Sequence, residues 1–87
     1  MAFISRHKKF TRQFNHLPKK IKEKFEEKLR IFIINNYTLE LNNHSLYGEW
    51  FNHRSIDITG DVRAVFKEEG DFIIFKAIGT HHQLYGK

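Results

Sequence analysis

Residues 62–78, VRAVFKEEGDFIIFKAI, decide the fold of this chain. Apolar and polar residues alternate through VRAVFK, EEGD is a turn signal, and FIIFKAI is almost continuously apolar. Alternation with a period of two is typical of a β-strand, and a short turn joins two strands in antiparallel order. The stretch therefore predicts a β-hairpin whose second strand is buried on both faces, beneath a pair of helices.

The residues that precede the hairpin predict a further antiparallel strand. WFNHRSIDI, residues 50–58, alternates so that Trp50, Arg54 and Ile56 fall on one face. TGD, residues 59–61, is a turn signal that brings this strand back against the hairpin. Together the three strands predict an antiparallel meander.

The N-terminal half has helical periodicity. AFIS, residues 2–5, predicts a short strand, and Phe10 and Phe14, one helical turn apart, predict a helix over residues 6–16. Pro18 suits the first position of a second helix, where its missing N–H costs nothing. The apolar stripe of that second helix consists of Ile21, Phe25, Leu29, Phe32 and Ile33. The NNY sequence that follows should end it.

Length and composition limit the chain to one small domain. Its 87 residues are 40% hydrophobic and include nine Phe, enough for one core. The predicted architecture is α/β (α+β): a short N-terminal strand, then a two-helix hairpin packed on an antiparallel sheet with a three-stranded C-terminal meander, all in one domain over residues 1–87. The sequence has no cysteine, and no run reaches the ~20 apolar residues of a membrane span. We therefore expect a soluble, cytoplasmic protein without a membrane partner.

The positive charge is concentrated near the N-terminus. Residues 1–30 carry ten Lys or Arg and three Glu, a balance of +7, whereas residues 31–87 carry five Lys or Arg and seven Asp or Glu, a balance of −2. A basic segment of this kind favours a polyanion or an acidic protein as partner. Lysine-rich helices also occur simply as solvated outer faces, so the charge alone leaves both interpretations open.

Three motifs in the C-terminal half carry a family resemblance. They are LxGxW at residues 46–50, R-x-x-x-I-x-x-D at residues 54–61 and GTHxxLY at residues 79–85. With these motifs and the same order of helices and strands, the chain resembles the RelE/ParE toxin superfamily and is most similar to its YafQ-like branch. The resemblance covers essentially the whole chain.

The resemblance implies a toxin of a type II toxin–antitoxin pair. RelE-like and YafQ-like toxins are ribosome-dependent endoribonucleases that cut mRNA in the ribosomal A site without a metal. The implied partners are a cognate antitoxin, the ribosome and mRNA, and no cofactor is expected. A ParE-like inhibitor of DNA gyrase and a decayed toxin that only binds its antitoxin are the alternatives. Six histidines could supply zinc ligands, but neither helix has an H-x-x-x-H pair, so no metal site is expected.

The resemblance also implies catalytic residues. His81 matches the principal catalytic histidine, His44 matches a second one, and Asp61 matches a functional aspartate. Asp57 stands where the branch has a further histidine, so either Asp57 has a different role or His53 compensates from the same strand face. Histidine suits acid and base catalysis because its reference pKa of ~6.5 leaves both protonation forms available near neutral pH. The alternatives are that His44 is a solvated loop residue and Asp61 simply a turn residue.

A second set of residues is expected to bind RNA: Arg63, Tyr85, Arg54, Lys8, Lys9, Arg12, Lys19 and Lys20. Arg63 matches an arginine that binds phosphate in RelE-like members, and it either reaches phosphate or pairs with a nearby carboxylate. Tyr85 matches the closing aromatic residue of the family, and it either stacks on a base or closes the core. The basic helix residues would bind ribosomal RNA without sequence preference. Trp50 is interpreted as a packing residue, and His82 as a neighbour of His81 without an assigned role.

Overall fold

The computed structural model describes residues 3–86. The strands are β1 (Phe3–Arg6), β2 (His44–Ser45), β3 (Arg54–Asp57), β4 (Val62–Glu69) and β5 (Phe72–Thr80). The helices are α1 (Lys8–Asn15), α2 (Lys19–Ile34) and α3 (His81–Tyr85), and two single 3₁₀ turns cover Leu39–Leu41 and Gly48–Trp50. Ala2, which the sequence assigned to the first strand, lies outside the described residues, as do Met1 and Lys87. None of the helices within residues 3–86 is long and apolar enough to cross a membrane.

The five described strands form one sheet in the order β1-β5-β4-β3-β2. The predicted meander β3-β4-β5 is confirmed, and β2 adds to it through two antiparallel residue pairs. β1 lies on the other side of β5 and pairs with it in parallel, with Phe3 opposite Phe72. A β-bulge between Val65 and Phe66 shifts the register of β4 against β5. β5 is therefore a central strand, as its apolar sequence predicted.

The two long helices begin close to their predicted positions. His7 precedes α1, and its Nδ1 atom accepts a hydrogen bond from the Lys9 N–H at 3.1 Å. Pro18 has an extended backbone, with φ −59° and ψ 151°, so it lies one position before the first helical residue of α2 rather than at that position. Its carbonyl still accepts the N–H groups of Ile21 and Lys22, which begins the helix.

The main core lies between the two long helices and one face of the sheet. Phe75 of β5 is at its centre, with ring centroids 5.5 to 5.7 Å from those of Phe10, Phe25, Phe32 and Phe66. All five rings have no solvent exposure. Tilted and edge-to-face pairs at these separations stabilise a core beyond the area they bury. The phenylalanines of the helical stripes and of the meander therefore hold α1 and α2 on the sheet.

A smaller apolar cluster covers the opposite face of the sheet. It consists of the buried residues Val65, Ala77 and Leu84, with Leu46, Trp50 and Tyr85 packed against them. The predicted burial of β5 on both faces thus holds for its second half, where α3 folds back. In the first half Phe72 is 55% exposed. This second cluster positions the C-terminal residues that the sequence marked as functional.

Two details of the predicted elements were wrong. Ile33 of α2 is 62% exposed rather than buried, because Phe32 already occupies the inward position and the next residue turns about 100° away from it. The strand predicted from Trp50 begins only at Arg54. Trp50 ends a 3₁₀ turn, and Asn52 has a φ of 69°, which interrupts the extended backbone.

The residues after β5 do not continue the strand. They form α3, because Thr80 and Gln83 make a capping box. The Thr80 hydroxyl accepts the Gln83 N–H at 3.1 Å, and Gln83 Oε1 accepts the Thr80 N–H at 2.8 Å. The T-x-x-Q spacing of a capping box was present in the sequence and was overlooked there.

Candidate active site

α3 places His81 at the end of the β3–β4 turn. The backbone N–H of His81 donates a hydrogen bond to the carbonyl of Asp61 at 3.2 Å. Trp50 anchors the other end of the helix, since its indole N–H donates to the Leu84 carbonyl at 3.1 Å. Leu84 is buried in the smaller cluster. These three contacts fix the position of a five-residue helix that would be unstable alone.

Tyr85 supports the His81 ring from within the same helix. The two residues are one helical turn apart, and their rings meet edge to face with centroids 4.6 Å apart. The Tyr85 hydroxyl donates to Ser55 Oγ at 3.3 Å, and Ser55 has no solvent exposure. Buried hydroxyl groups need such partners, so this bond accounts for a serine in the middle of β3. Tyr85 is thus held at both ends of its side chain.

His44 approaches the same region from β2. Its Nδ1 atom lies 2.7 Å from the carbonyl oxygen of Asn42. A carbonyl oxygen only accepts hydrogen bonds, so Nδ1 carries the proton. In the neutral ring, Nε2 then has a free lone pair. The backbone around Asn42 therefore selects the tautomer in which Nε2 of His44 can accept a proton.

Arg63 is held by a carboxylate and by the backbone of the turn. Its Nε atom lies 2.9 Å from Asp57 Oδ1 on the neighbouring strand. Its Nη1 atom donates to the carbonyls of Thr59 and Gly60 at 3.0 and 3.2 Å. Of the two sequence interpretations of Arg63, pairing with a carboxylate is the one observed. The bonds found within residues 3–86 use Nε and Nη1 and leave Nη2 for a ligand.

The side chains of His44, Arg63, His81 and Tyr85 border one open groove of about 290 Å³, which we call the His81 groove. Its complete lining consists of His44, Leu46, Tyr47, Arg63, His81 and Tyr85. Of the four residues that the resemblance assigned to catalysis or to phosphate binding, the structure brings together three: His44, Arg63 and His81. The fourth, Asp61, contributes its backbone carbonyl to His81, but its side chain is exposed and outside the lining. Its N–H donates to Thr59 Oγ1, as in an ordinary turn. The geometry therefore favours the turn interpretation of Asp61.

The other residues expected to bind RNA lie away from the groove. Arg54 is on the helix-facing side of β3, where its Nε donates to Asn43 Oδ1 at 2.7 Å and its guanidinium lies 5.4 Å from the centroid of the Tyr37 ring. The basic residues of the two long helices are exposed at their surface: Lys8, Lys9, Arg12, Lys19 and Lys20. The Nζ atom of Lys9 lies 5.7 Å from the ring centroid of Trp50, which packs in the smaller apolar cluster.

Sequence reasoning missed Tyr47. This residue lines the His81 groove and is 80% exposed, unlike Tyr85, which packs on His81. It precedes Gly48, whose φ of 67° turns the chain sharply away. An aromatic residue directly before a glycine in a loop was the available signal. His53 does not join the groove lining, and its ring packs against Trp50 at 5.2 Å.

No group of three or more His, Asp or Glu side chains within residues 3–86 could hold a metal ion.

Comparison with known proteins gives the family. The family model described as "Bacterial toxin of type II toxin-antitoxin system, YafQ" matches residues 2–86. The chain belongs to the YafQ toxin family. It is therefore a toxin of the type II toxin–antitoxin class, in the YafQ-like branch that its motifs indicated.

Solved structures of YafQ and RelE toxins share this fold. The crystal structure of YafQ from E. coli strain BL21(DE3) matches with a TM-score of 0.81 and 21% identity, over 99% of this chain and 100% of that one. YafQ in the E. coli DinJ–YafQ toxin–antitoxin complex gives a TM-score of 0.78 and 22% identity, over 98% of both chains.

The structure of a RelE toxin confirms the predicted RelE-like architecture. The RelB–RelE antitoxin–toxin complex from Methanococcus jannaschii gives a TM-score of 0.73 and 22% identity, over 92% of this chain and 93% of that one. At these identities the likeness concerns the fold, and the roles of single residues depend on the geometry of the His81 groove. The comparison with curated proteins found no match.

Proposed function

We propose that this YafQ-family toxin is a ribosome-dependent endoribonuclease that cuts mRNA in the A site and thereby stops translation. The observation that carries the proposal is that two histidines from distant parts of the chain, His44 and His81, line one groove together with Arg63. Cleavage by an RNA 2′-hydroxyl requires a base, an acid and a group that stabilises the phosphorane, and two imidazoles with a guanidinium can supply all three.

In the proposed step, the 2′-oxygen attacks the adjacent phosphorus while a base removes its proton. The bond from phosphorus to the 5′-oxygen breaks, and an acid protonates that leaving oxygen. The products are a 2′,3′-cyclic phosphate and a free 5′-hydroxyl. Each correctly placed acid or base contributes about 10²–10⁴-fold in rate. The nucleophile and both protons come from the RNA and the two histidines.

The hydrogen bonds favour His44 as the base and His81 as the acid. The bond to the Asn42 carbonyl leaves the Nε2 lone pair of a neutral His44 free to accept the 2′ proton. No side chain within residues 3–86 hydrogen-bonds the His81 ring, which packs against the Tyr85 ring, so both of its nitrogens are available. A protonated His81 can then donate to the leaving oxygen.

Substrate binding is assigned to cations inside and outside the groove. Arg63, anchored through Nε and Nη1, offers its Nη2 donors to the scissile phosphate. The exposed basic residues of α1 and α2 would contact ribosomal RNA, whose charge density makes such contacts independent of sequence. We also propose a cognate antitoxin as protein partner and the cytoplasm as the place of action. The antitoxin complexes of E. coli YafQ and M. jannaschii RelE support this partner.

Transcript-end mapping after induced expression tests the proposal, with His81→Ala as the variant and His82→Ala as its matched control. Both histidines are exposed and adjacent on α3, but only His81 lines the groove. We expect His81→Ala to lose about 10²–10⁴-fold of cleavage, as removal of a general acid does, and His82→Ala to keep it. Full cleavage by His81→Ala would reject the assignment. DNA damage without transcript cleavage by the wild type would establish the gyrase alternative instead.

A further inference from the structure

Asp57 contacts Arg63, the arginine that lines the His81 groove. It lies on β3 directly opposite Arg63 on β4, and the Oδ1–Nε distance is 2.9 Å. Oδ1 is itself shielded from solvent and meets Arg63 as an ion pair, without an aligned hydrogen bond. The two side chains are 29% and 20% exposed, so the pair lies at the border of the groove and not in the core.

The other carboxylate oxygen of Asp57 contacts the loop that carries His44. The Asn42 side-chain amide donates to Oδ2 at 3.2 Å. Asn42 has a left-handed backbone, with φ 49°, and its carbonyl is the group that accepts the proton of His44 Nδ1. A continuous chain of contacts therefore runs from Arg63 through Asp57 and Asn42 to His44.

We propose that Asp57 is a positioning residue that sets the proposed phosphate-binding cation and the proposed base relative to each other. One oxygen holds Arg63 and the other holds the loop whose carbonyl selects the His44 tautomer, so a single carboxylate connects two groups from different strands. This inference rests on the proposed ribonuclease function. At this position the resemblance implies a histidine. The positioning role explains how an aspartate can serve there without transferring a proton.

A purely structural role would have a different signature. Partly exposed ion pairs contribute little to folding stability, because water and salt screen them. Alignment of reacting groups is far more sensitive, since a displacement of about 1 Å reduces a rate by ~10²-fold. Asp57 variants should therefore lose rate without a matching loss of folded protein.

The test compares Asp57→Ala, Asp57→Asn and Asn42→Gly in single-turnover cleavage on programmed ribosomes, at saturating toxin and corrected for the folded fraction. We expect Asp57→Ala to lower the cleavage rate by about 10–100-fold. Asp57→Asn keeps one acceptor oxygen and should recover part of that loss. Asn42→Gly removes the amide and tolerates the left-handed backbone, so it breaks the branch to His44 and leaves Arg63 in place. It should cost less than Asp57→Ala, and the double variant should be no slower than Asp57→Ala alone. A wild-type rate in Asp57→Ala would overturn the proposal.

A second readout does not depend on activity. Nitrogen-15 NMR follows the Arg63 Nε–H and the His44 Nδ1–H directly in the free protein. In the wild type we expect the Arg63 Nε–H to exchange slowly with water and His44 to be in the Nδ1–H tautomer. In Asp57→Ala we expect fast exchange of the Arg63 Nε–H and a mixture of His44 tautomers. Unchanged signals in Asp57→Ala would refute the positioning role. Failure of the wild type to cleave RNA would refute the proposed function alone and leave this measurement valid.

Discussion

Gly79→Ala tests whether the capping box of α3 holds the helix that carries His81. Gly79 lies in β5 and has an ordinary extended backbone, which alanine adopts without strain. That Cβ would lie 2.8 Å from Gln83 Oε1 and 3.4 Å from Gln83 Cβ. The first distance is too short and the second is an ordinary contact. Only the end of the Gln83 side chain has to move, but its oxygen is the acceptor for the Thr80 N–H.

The magnitude follows from two opposing effects. Moving the amide breaks one capping hydrogen bond, which costs about 0.5–1.5 kcal/mol. Replacing Gly by Ala at a compatible site stabilises by about 0.4–1 kcal/mol, because the unfolded chain loses freedom. We therefore expect a net effect in the wild-type background between a stabilisation of ~0.5 kcal/mol and a destabilisation of ~1 kcal/mol. In a Gln83→Ala background the hydrogen bond from the Thr80 N–H to the residue 83 side chain is already absent, and the same substitution should stabilise by about 0.4–1 kcal/mol.

Urea unfolding of the four proteins in this double-mutant cycle gives the coupling free energy between positions 79 and 83. We expect about 1 kcal/mol, together with faster amide exchange of the Thr80 N–H in either single variant. An equal effect of Gly79→Ala in both backgrounds would show that the capping bond does not stabilise α3. A loss above ~3 kcal/mol would show that the backbone, and not the Gln83 side chain, has to move.

Two further predictions concern the core and the groove. Phe75→Ala should lower the free energy of unfolding by about 3–5 kcal/mol in urea titrations, because four rings lose their central contact. Phe72→Ala, at a 55% exposed position, should cost far less. Equal losses in the two variants would contradict the described core. Tyr47→Ala should weaken the binding of single-stranded RNA to the groove by about 1–3 kcal/mol of stacking, measured as a higher KM with kcat little changed. Phe51→Ala is its control, being 65% exposed but outside the groove lining, and an equal effect of both would exclude stacking by Tyr47.

The sequence predicted the parts of this structure that depend on long periodic patterns. The stripe of α2 was readable because Phe25 and Phe32 recur at helical spacing, and β4 was readable because buried and polar residues alternate, as at Ala64 and Phe66. The two-residue strand β2 and the five-residue helix α3 were not predicted. Elements this short are stabilised by a cap or by a tertiary contact, such as the bond from Trp50 to Leu84, and not by periodicity.

The sequence indicated most of the residues of the candidate site, but it did not indicate which of them contact each other. The family motifs pointed to His44 and His81, and both line the groove. They also pointed to Asp61, whereas Asp57 is the carboxylate that meets Arg63. That choice depends on the register of the β3–β4 hairpin, which places residues 57 and 63 opposite each other. Turn chemistry located the hairpin in the sequence but left its register open.

The central position of β5 has a consequence for the synthesis of this toxin. Residues 72–80 supply both Phe75, around which the other core aromatics pack, and the strand that leads directly into His81. A polypeptide that stops before residue 72 carries the three buried helix phenylalanines, Phe10, Phe25 and Phe32, without the Phe75 ring around which they pack. It also lacks His81, so we expect an interrupted round of translation to produce neither a complete core nor a complete His81 groove.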